Sequence, residues 1–142
     1  MKKIALVVML LATSAFAGVN LSIDKTEIAI PPGGTGDVTL SFTTDGIATV
    51  IGLYAMADQA DAVKIVAFQK LHSSMNEGPA VDPTGMGYFS TDPSLPTGSF
   101  GLNGPASGVT VGGDLITLTL ETNPAATYPI TVTFMGDWSF VN

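Results

Sequence analysis

The sequence predicts an all-β sandwich. Short segments alternate apolar and polar residues, which is the period of a strand with one buried face. Clusters rich in Gly, Pro, Asn and Asp separate these segments at intervals of about 8 to 12 residues, as in β-sandwiches. No long segment has the 3.6-residue apolar period of an amphipathic helix. These observations together favour short strands joined by turns.

Residues 112–134 contain the clearest alternation in the chain. Leu118 and Leu120 point to one side, and Thr117 and Thr119 point to the other. A second alternating run starts at Ile130, after a short Asn123-Pro124 turn. We expect the two runs to face each other as a hairpin, and the rest of the chain to supply the strands that complete the sandwich.

Residues 1–17 have the three parts of a secretory leader. Lys2 and Lys3 form a basic start, residues 4–11 are apolar, and Ala15-Phe16-Ala17 is a small-x-small cleavage signal. The apolar run is shorter than the roughly 20 residues that a membrane-spanning helix needs. We therefore predict a cleaved signal peptide at 1–17 and one domain at 18–142, secreted to the periplasm or the extracellular space.

Composition narrows the classes of partner. The 142 residues include 12 acids, 5 cationic residues and no cysteine. Without the leader, three lysines remain against the 12 acids, which gives a net charge near −9. This charge argues against nucleic acid, whose phosphates need cationic neutralisation, and against anionic membrane surfaces. Lack of cysteine excludes disulfides, thiolate metal sites and cysteine nucleophiles.

The first strands of the domain are predicted in order along the chain. Alternating apolar residues that begin at Val19 and again at Ile28 indicate two short strands, with a kink or strand switch at Asp24-Lys25. Residues 31–34, Pro-Pro-Gly-Gly, form a turn that ends any strand. The strand that follows places three apolar residues on its inner face: Val38, Leu40 and Phe42.

Residues 49–57 are apolar on both faces. One face carries Val50, Tyr54 and Met56, and the other carries Ile51, Leu53 and Ala55. Such a strand is either covered on both sides or lies under a binding surface, so we take it as the candidate docking strand. After it we expect a single helical turn at 58–61, then a strand with Val63, Ile65 and Ala67 on one face.

The pattern weakens between residues 71 and 110, where turn residues occur every few positions. Short strands are predicted at 86–90 and 99–102. Aromatic residues such as Tyr88 and Phe100 are typical of ordered segments rather than of disordered linkers. Long ordered loops are therefore expected, followed by a last strand at 138–141.

Six motifs follow one another along the chain. They are 31–40 with its Pro-Gly turn, 51–56, 61–66, 100–104, 112–118 and Thr127-Tyr128-Pro129-Ile130. Their order resembles a cohesin domain, within a wider group of secreted bacterial sandwiches that includes carbohydrate-binding modules. The resemblance implies a jelly-roll sandwich of about nine strands. It also implies a non-catalytic module that docks a calcium-loaded dockerin on one sheet face, in extracellular assemblies that act on polysaccharide.

No catalytic, cofactor-binding or metal-binding residue is assigned. His72, the one histidine, is expected to be a solvated loop residue, because adjacent Ser73 and Ser74 cannot build a triad with it. The acids lie in turns or at outward strand positions, unlike the carboxylate pair of a glycosidase. Two pairs of acids could offer oxygen ligands to calcium, although neither matches an EF-hand spacing: Asp58 with Asp61, and Asp82 with Asp92.

Two alternatives to protein docking stay open. A carbohydrate-binding module would stack exposed rings on sugar faces, and the candidates are Tyr54, Tyr88, Tyr128 and Trp138. Packing in the core or at an edge is the commoner fate of such side chains. A subunit that stacks with copies of itself is the third possibility, and an enzyme is the last.

Overall fold

Two sheets form the fold of this chain in a computed structural model. The structure describes residues 5–12, 19–44, 46–76, 82–98 and 100–140, and of residues 5–12, 19 and 137–140 it describes the backbone alone. Sheet A has the strand order β3-β1-β10-β5, with β7 and β8 both paired to β5, and sheet B has the order β2-β4-β9-β6. The predicted all-β sandwich is confirmed.

The strands are short and follow one another closely along the chain. Their bounds are β1 Ala5–Ala12, β2 Val19–Ile23, β3 Glu27–Ala29, β4 Thr35–Thr44, β5 Ala48–Ala57, β6 Val63–Lys70, β7 Thr97–Gly98, β8 Leu102–Asn103, β9 Gly113–Thr122 and β10 Ile130–Phe140. A 3-10 turn, η1, covers Pro83–Gly85.

The inner faces of both sheets form one hydrophobic core. Sheet B contributes the predicted inward residues of β4 and β9, and sheet A contributes those of β5 and β10. These side chains are all buried: Val38, Leu40, Phe42, Leu118, Leu120, Ile51, Leu53, Ala55, Ile130, Val132 and Phe134. The inward and outward positions predicted for these four strands are therefore confirmed.

The predicted hairpin of residues 112–134 is wrong. Strand β9 lies in sheet B between β4 and β6, whereas β10 lies in sheet A between β1 and β5. The connection at 123–129 crosses from one sheet to the other, with a turn in which the Ala126 N–H bonds the Asn123 carbonyl at 3.0 Å. Alternation shows that each strand buries one face, but it does not show which strand lies beside it.

The strand switch at Asp24-Lys25 is confirmed, since β2 belongs to sheet B and β3 to sheet A. The Asp24 N–H donates to the Thr39 carbonyl at 3.1 Å, and Asp24 Oδ1 accepts the Thr39 N–H at 2.8 Å. The turn at 31–34 is also present, with Gly33 at φ +73° and the Gly34 N–H bonded to the Pro31 carbonyl. Glycine fits this left-handed position without steric cost.

Three local predictions need correction. Residues 58–61 form a non-helical turn that ends at Asp61 with φ 53°. A bulge between Ile65 and Ala67 changes the phase of β6, so that Phe68 packs against the core and Ala67 is exposed. The segment expected as a last strand, 138–141, is the end of β10 as far as residue 140, and residue 141 lies outside the described residues.

The long region between β6 and β9 is ordered through its own buried side chains. Met75, Phe89 and Phe100 are almost completely buried, and the Phe89 ring meets the Phe134 ring edge-on at 6.2 Å. The strand predicted at 86–90 makes isolated bridges at Tyr88 and Ser90. Of the strand predicted at 99–102, residue 99 lies outside the described residues, and residues 100 and 101 lie outside any strand, between β7 and β8.

Strand β1 lies within the segment predicted to be a leader. It runs parallel to β10, from Leu6 beside Ile130 to Ala12 beside Gly136, and antiparallel to β3. The cleavage signal Ala15-Phe16-Ala17 lies outside the described residues. Within the described ranges, no helix is long and apolar enough to cross a membrane.

Candidate functional site

The outer face of sheet A carries apolar side chains on its two longest neighbouring strands. Alternation along β5 turns Val50, Tyr54 and Met56 outward, opposite the buried inner residues. In the antiparallel register of β10, Met135 lies beside Tyr54 and Thr133 beside Met56. Val50 is 36% exposed and the other four are partly exposed, so the described residues do not cover this face. We call these five residues the β5–β10 face.

Sheet B presents a different outer face, on which polar groups bond one another across the strands. The Thr119 hydroxyl donates to Asp37 Oδ1 at 2.7 Å, and the hydroxyls of Thr39 and Thr117 are 2.9 Å apart. Further pairs continue the pattern: Ser41 with Asp114 at 2.7 Å and Lys64 with Glu121 at 3.5 Å. Cross-strand polar pairs of this kind stabilise a solvated sheet face.

A loop borders the β5–β10 face along the far edge of β5. Ser90 bridges to Met56, and β7 pairs with β5 at Tyr54 and Ala55. Leu95, near the tip of this loop, is 73% exposed. Asp92 stabilises the loop, because its Oδ1 accepts hydrogen bonds from the hydroxyl and the N–H of Ser94. These bonds lower the pKa of the Asp92 carboxyl.

The described tyrosines do not form a row for stacking on a sugar chain. Tyr54 lies on sheet A, whereas Tyr88 bridges to Lys64 of sheet B, whose Nζ lies 5.2 Å from the ring centroid. Tyr128 is half-buried and its hydroxyl donates to Thr122 Oγ1 at 2.9 Å. The side chain of Trp138 lies outside the described residues.

His72 holds two loops together and is not a freely solvated side chain as predicted. Its Nδ1 lies 3.2 Å and 3.1 Å from the N–H groups of Ser74 and Met75, which donate to it. Its Nε2 lies 3.2 Å from the Val111 carbonyl, so the donor there is Nε2–H of the neutral ring. The ring also packs against Phe42 at 5.2 Å. This geometry gives the histidine a structural role.

Asp58 and Asp82, two of the acids proposed as calcium ligands, accept hydrogen bonds from nearby groups of the chain. Asp58 Oδ1 accepts the Thr131 N–H at 2.9 Å, and Asp82 Oδ1 accepts from the Thr84 hydroxyl and N–H. Those Thr84 bonds lower the pKa of the Asp82 carboxyl. In the part of the chain that the structure describes, no three acids or histidines come together as a metal site.

The sequence identified three of the five residues of the β5–β10 face. Val50, Tyr54 and Met56 were predicted from the two apolar faces of one strand. Thr133 and Met135 were missed as members of the face, because only the pairing of β5 with β10 brings them there. The run 131–135 carries a signal for the face, because its outward positions change from threonine to the apolar methionine.

Comparison with known proteins gives structural neighbours only. No family model matches the chain, and no curated protein matches it. Similar solved structures include a crystal structure of a CaCohA2 complex with a CaDoc0917 variant at pH 5.5, with 11% identity, coverage of 94% of this chain and 98% of that one, and a TM-score of 0.44. They also include the third cohesin of ScaC with the ScaB dockerin from Acetivibrio cellulolyticus, with 9% identity, coverage of 96% and 99%, and a TM-score of 0.46. Both are cohesin structures from cohesin–dockerin complexes, the family whose motif order this sequence resembles.

Proposed function

We propose that this chain is a secreted, non-catalytic module that docks a dockerin-type protein through the β5–β10 face, within an extracellular assembly related to polysaccharide. The observation that carries the proposal is the contrast between the two outer faces. Sheet B pairs its polar groups internally, whereas sheet A leaves Val50, Tyr54 and Met135 partly exposed. The class of partner comes from the motif order that resembles cohesins.

The chemistry of the β5–β10 face suits a protein partner. Burial of apolar surface drives most protein association, and tyrosine is among the residues most often found at the energetic centre of an interface. Tyr54 lies beside Met135 at the middle of the face. Methionine is flexible and polarisable, so Met56 and Met135 can adapt to the shape of a partner.

A binding experiment with two matched tyrosine variants tests the proposal. Calcium-loaded dockerin modules are titrated against the chain by calorimetry, with and without chelator. Tyr54→Ala removes a ring from the β5–β10 face and should weaken binding by about 30-fold, the effect of a hot spot of about 2 kcal/mol. Tyr88→Ala removes a partly buried ring beside sheet B and should leave the affinity unchanged.

Three results would count against the proposal. These are binding that survives chelation, equal losses from the two variants, and an absence of binding to every dockerin in the panel. Sedimentation with insoluble polysaccharide addresses the carbohydrate-binding alternative. Retention of the chain there, with a loss on Tyr88→Ala, would favour that alternative.

A further inference from the structure

The sequence contains one Asn-Gly pair, Asn103-Gly104. Asn20, Asn76 and Asn123 precede leucine, glutamate and proline. The backbone nitrogen that follows an asparagine can attack the carbonyl carbon of its side chain, Cγ, and close a five-membered imide. Glycine has no side chain to obstruct this approach, so Asn103-Gly104 is the most reactive of these pairs in an unfolded chain.

The structure explains why glycine occupies position 104. A Cβ at Gly104 would lie 2.5 Å from Met75 Sδ and 3.2 Å from Val109 Cγ2, and Met75 is a completely buried core residue. Asn103, in contrast, is exposed, and within the described part of the chain no group forms a hydrogen bond with its side chain. Core packing therefore requires the glycine, while the neighbouring amide lies in solvent.

Strand β8 restrains the nitrogen that would attack. Leu102 lies beside Ile51 and Asn103 beside Val50 in the antiparallel pairing of β8 with β5. The Gly104 N–H then donates to the Thr49 carbonyl at 2.8 Å. The nitrogen must lose this proton and turn towards Cγ before it can react, so the bond to Thr49 has to break first.

Opening of β8 alone is sufficient to release this nitrogen. The strand has two residues, and a turn follows it in which the Gly108 N–H donates to the Pro105 carbonyl at 2.8 Å. Short segments of this kind open at a lower free-energy cost than the whole fold. The completely buried Leu102 side chain opposes the opening, because it has to leave the core when β8 separates from β5.

We propose that Asn103 is a site of spontaneous deamidation whose rate is set by the opening of β8. Base removes the proton of the Gly104 nitrogen, which forms a bond to Asn103 Cγ. The bond from Cγ to Nδ2 breaks, and Nδ2 leaves as ammonia after it takes a proton from solvent. Water then adds to either carbonyl carbon of the imide and breaks the bond of that carbon to the Gly104 nitrogen, which is protonated again.

The two products change the chain in different ways. Hydrolysis at Cγ gives aspartate, which places a carboxylate beside the outward Val50. Hydrolysis at the main-chain carbonyl gives isoaspartate, in which the chain continues through Cβ and Cγ. The extra backbone atom moves the Gly104 N–H out of register with the Thr49 carbonyl. The modification goes beyond the proposed docking function and does not depend on it.

Peptide mapping by mass spectrometry tests the proposal on the full chain. The protein is kept at mildly alkaline pH, both folded and in guanidinium chloride, and the exchange of ammonia for water is followed at each asparagine. A methyltransferase specific for isoaspartate measures the second product. We expect Asn103 to react in both states, at least about tenfold faster when unfolded, and Asn20 and Asn76 to stay unchanged over the same period. Asn103→Gln should abolish the signal, because its longer side chain would have to close a less favourable six-membered ring.

Two matched variants test the part played by β8. Leu102→Val and Leu118→Val each remove one methylene from a completely buried leucine, the first in β8 and the second in β9. Leu102→Val should accelerate the reaction of folded Asn103 about fivefold, whereas Leu118→Val should leave it unchanged. All three proteins should react equally fast in guanidinium chloride. In the unaltered chain, the Gly104 amide should exchange with deuterium faster than the paired amides of β9.

Four results would overturn the proposal. Folded Asn103 that stays intact after the unfolded chain has been converted would remove the site from the native protein. Equal rates in the folded and unfolded states would show that β8 gives no protection. Equal acceleration by the two leucine variants, or a Gly104 amide that exchanges as slowly as those of β9, would assign the reaction to global unfolding.

Discussion

Removal of the Tyr128 hydroxyl should measurably weaken the fold. That hydroxyl donates to Thr122 Oγ1 at 2.9 Å, and Thr122 Oγ1 donates in turn to the Pro31 carbonyl at 3.1 Å. Thr122 is a buried polar residue with 1% exposure. The chain of bonds ties the end of β9 to the turn after β3 and to the crossing between the sheets.

The size of the effect follows from which groups stay bonded. In Tyr128→Phe the Thr122 hydroxyl still donates to Pro31 and loses only one incoming bond, so the free energy of unfolding should fall by about 1 kcal/mol. Thr122→Val leaves the Pro31 carbonyl and the Tyr128 hydroxyl without this partner, and should cost about 2 kcal/mol. The double variant should cost about 2 kcal/mol rather than 3, because both changes remove the same bond.

Urea denaturation followed by circular dichroism measures all four proteins of this cycle. Tyr88→Phe is the control, since its hydroxyl has no hydrogen-bond partner among the described residues and its ring keeps the Lys64 contact. The control should stay within about 0.5 kcal/mol of the unaltered chain. Additive costs in the double variant, or a Tyr128→Phe cost equal to that of the control, would refute the proposed bond network.

Three further predictions concern other parts of the chain. His72→Phe keeps an aromatic ring against Phe42 but removes the three hydrogen bonds of the imidazole, so urea denaturation should show a loss of about 1–3 kcal/mol; an unchanged midpoint would contradict the structural role. The carboxyls of Asp82 and Asp92 should titrate below the ordinary aspartate pKa of 3.8 in carboxyl-carbon NMR, because hydrogen bonds in their turns favour the charged form. The stabilisation from these lowered pKa values is fully present above pH 3.8 and is lost as the pH falls through the folded-state pKa, and a titration at or above 3.8 would refute it. A chain that starts at residue 18 lacks β1. In that chain, the backbone amides of β10 at 130–136 should exchange with deuterium faster than in the full chain, whereas the exchange of the β9 amides should be unchanged. Equal protection of β10 in the two chains would contradict this and would show that another strand, such as β3, takes the place of β1.

Strand faces could be predicted from the sequence, but strand neighbours could not. The alternation of Leu118 and Leu120 with threonines correctly assigned the buried side of β9, because the side-chain period of a strand is two residues. The same pattern suggested a hairpin with β10, which lies in the other sheet. Which strands pair depends on the path of the connection between them. The connection at 123–129 is long enough to take the chain from β9 in sheet B to β10 in sheet A.

The side-chain phase of β6 and the loop contacts of His72 could not be predicted either, because neither follows from the alternation of residues. The bulge in β6 adds one residue between Ile65 and Ala67, which reverses the pattern and brings Phe68 inward. Nothing in an apolar alternation marks such an insertion when both neighbours are small or apolar. The bonds of His72 depend on the loop that carries Val111 lying against it, and a separation of 39 residues hides that contact from local sequence patterns.

The composition of the β5–β10 face is difficult to explain by folding alone. A side chain that stays partly exposed gains only part of the transfer free energy that burial provides. The chain builds a polar, internally bonded outer face on β4 and β9, which are also strands with a neighbour on each side. On β5 and β10 the equivalent outward positions hold Tyr54 and Met135 side by side. Apolar side chains at these paired positions leave the backbone hydrogen bonds of the sheet intact. They also give the folded chain a surface that water solvates poorly. A partner that covered this surface would supply the missing burial, and this contrast with sheet B is the physical reason for placing the proposed docking on sheet A.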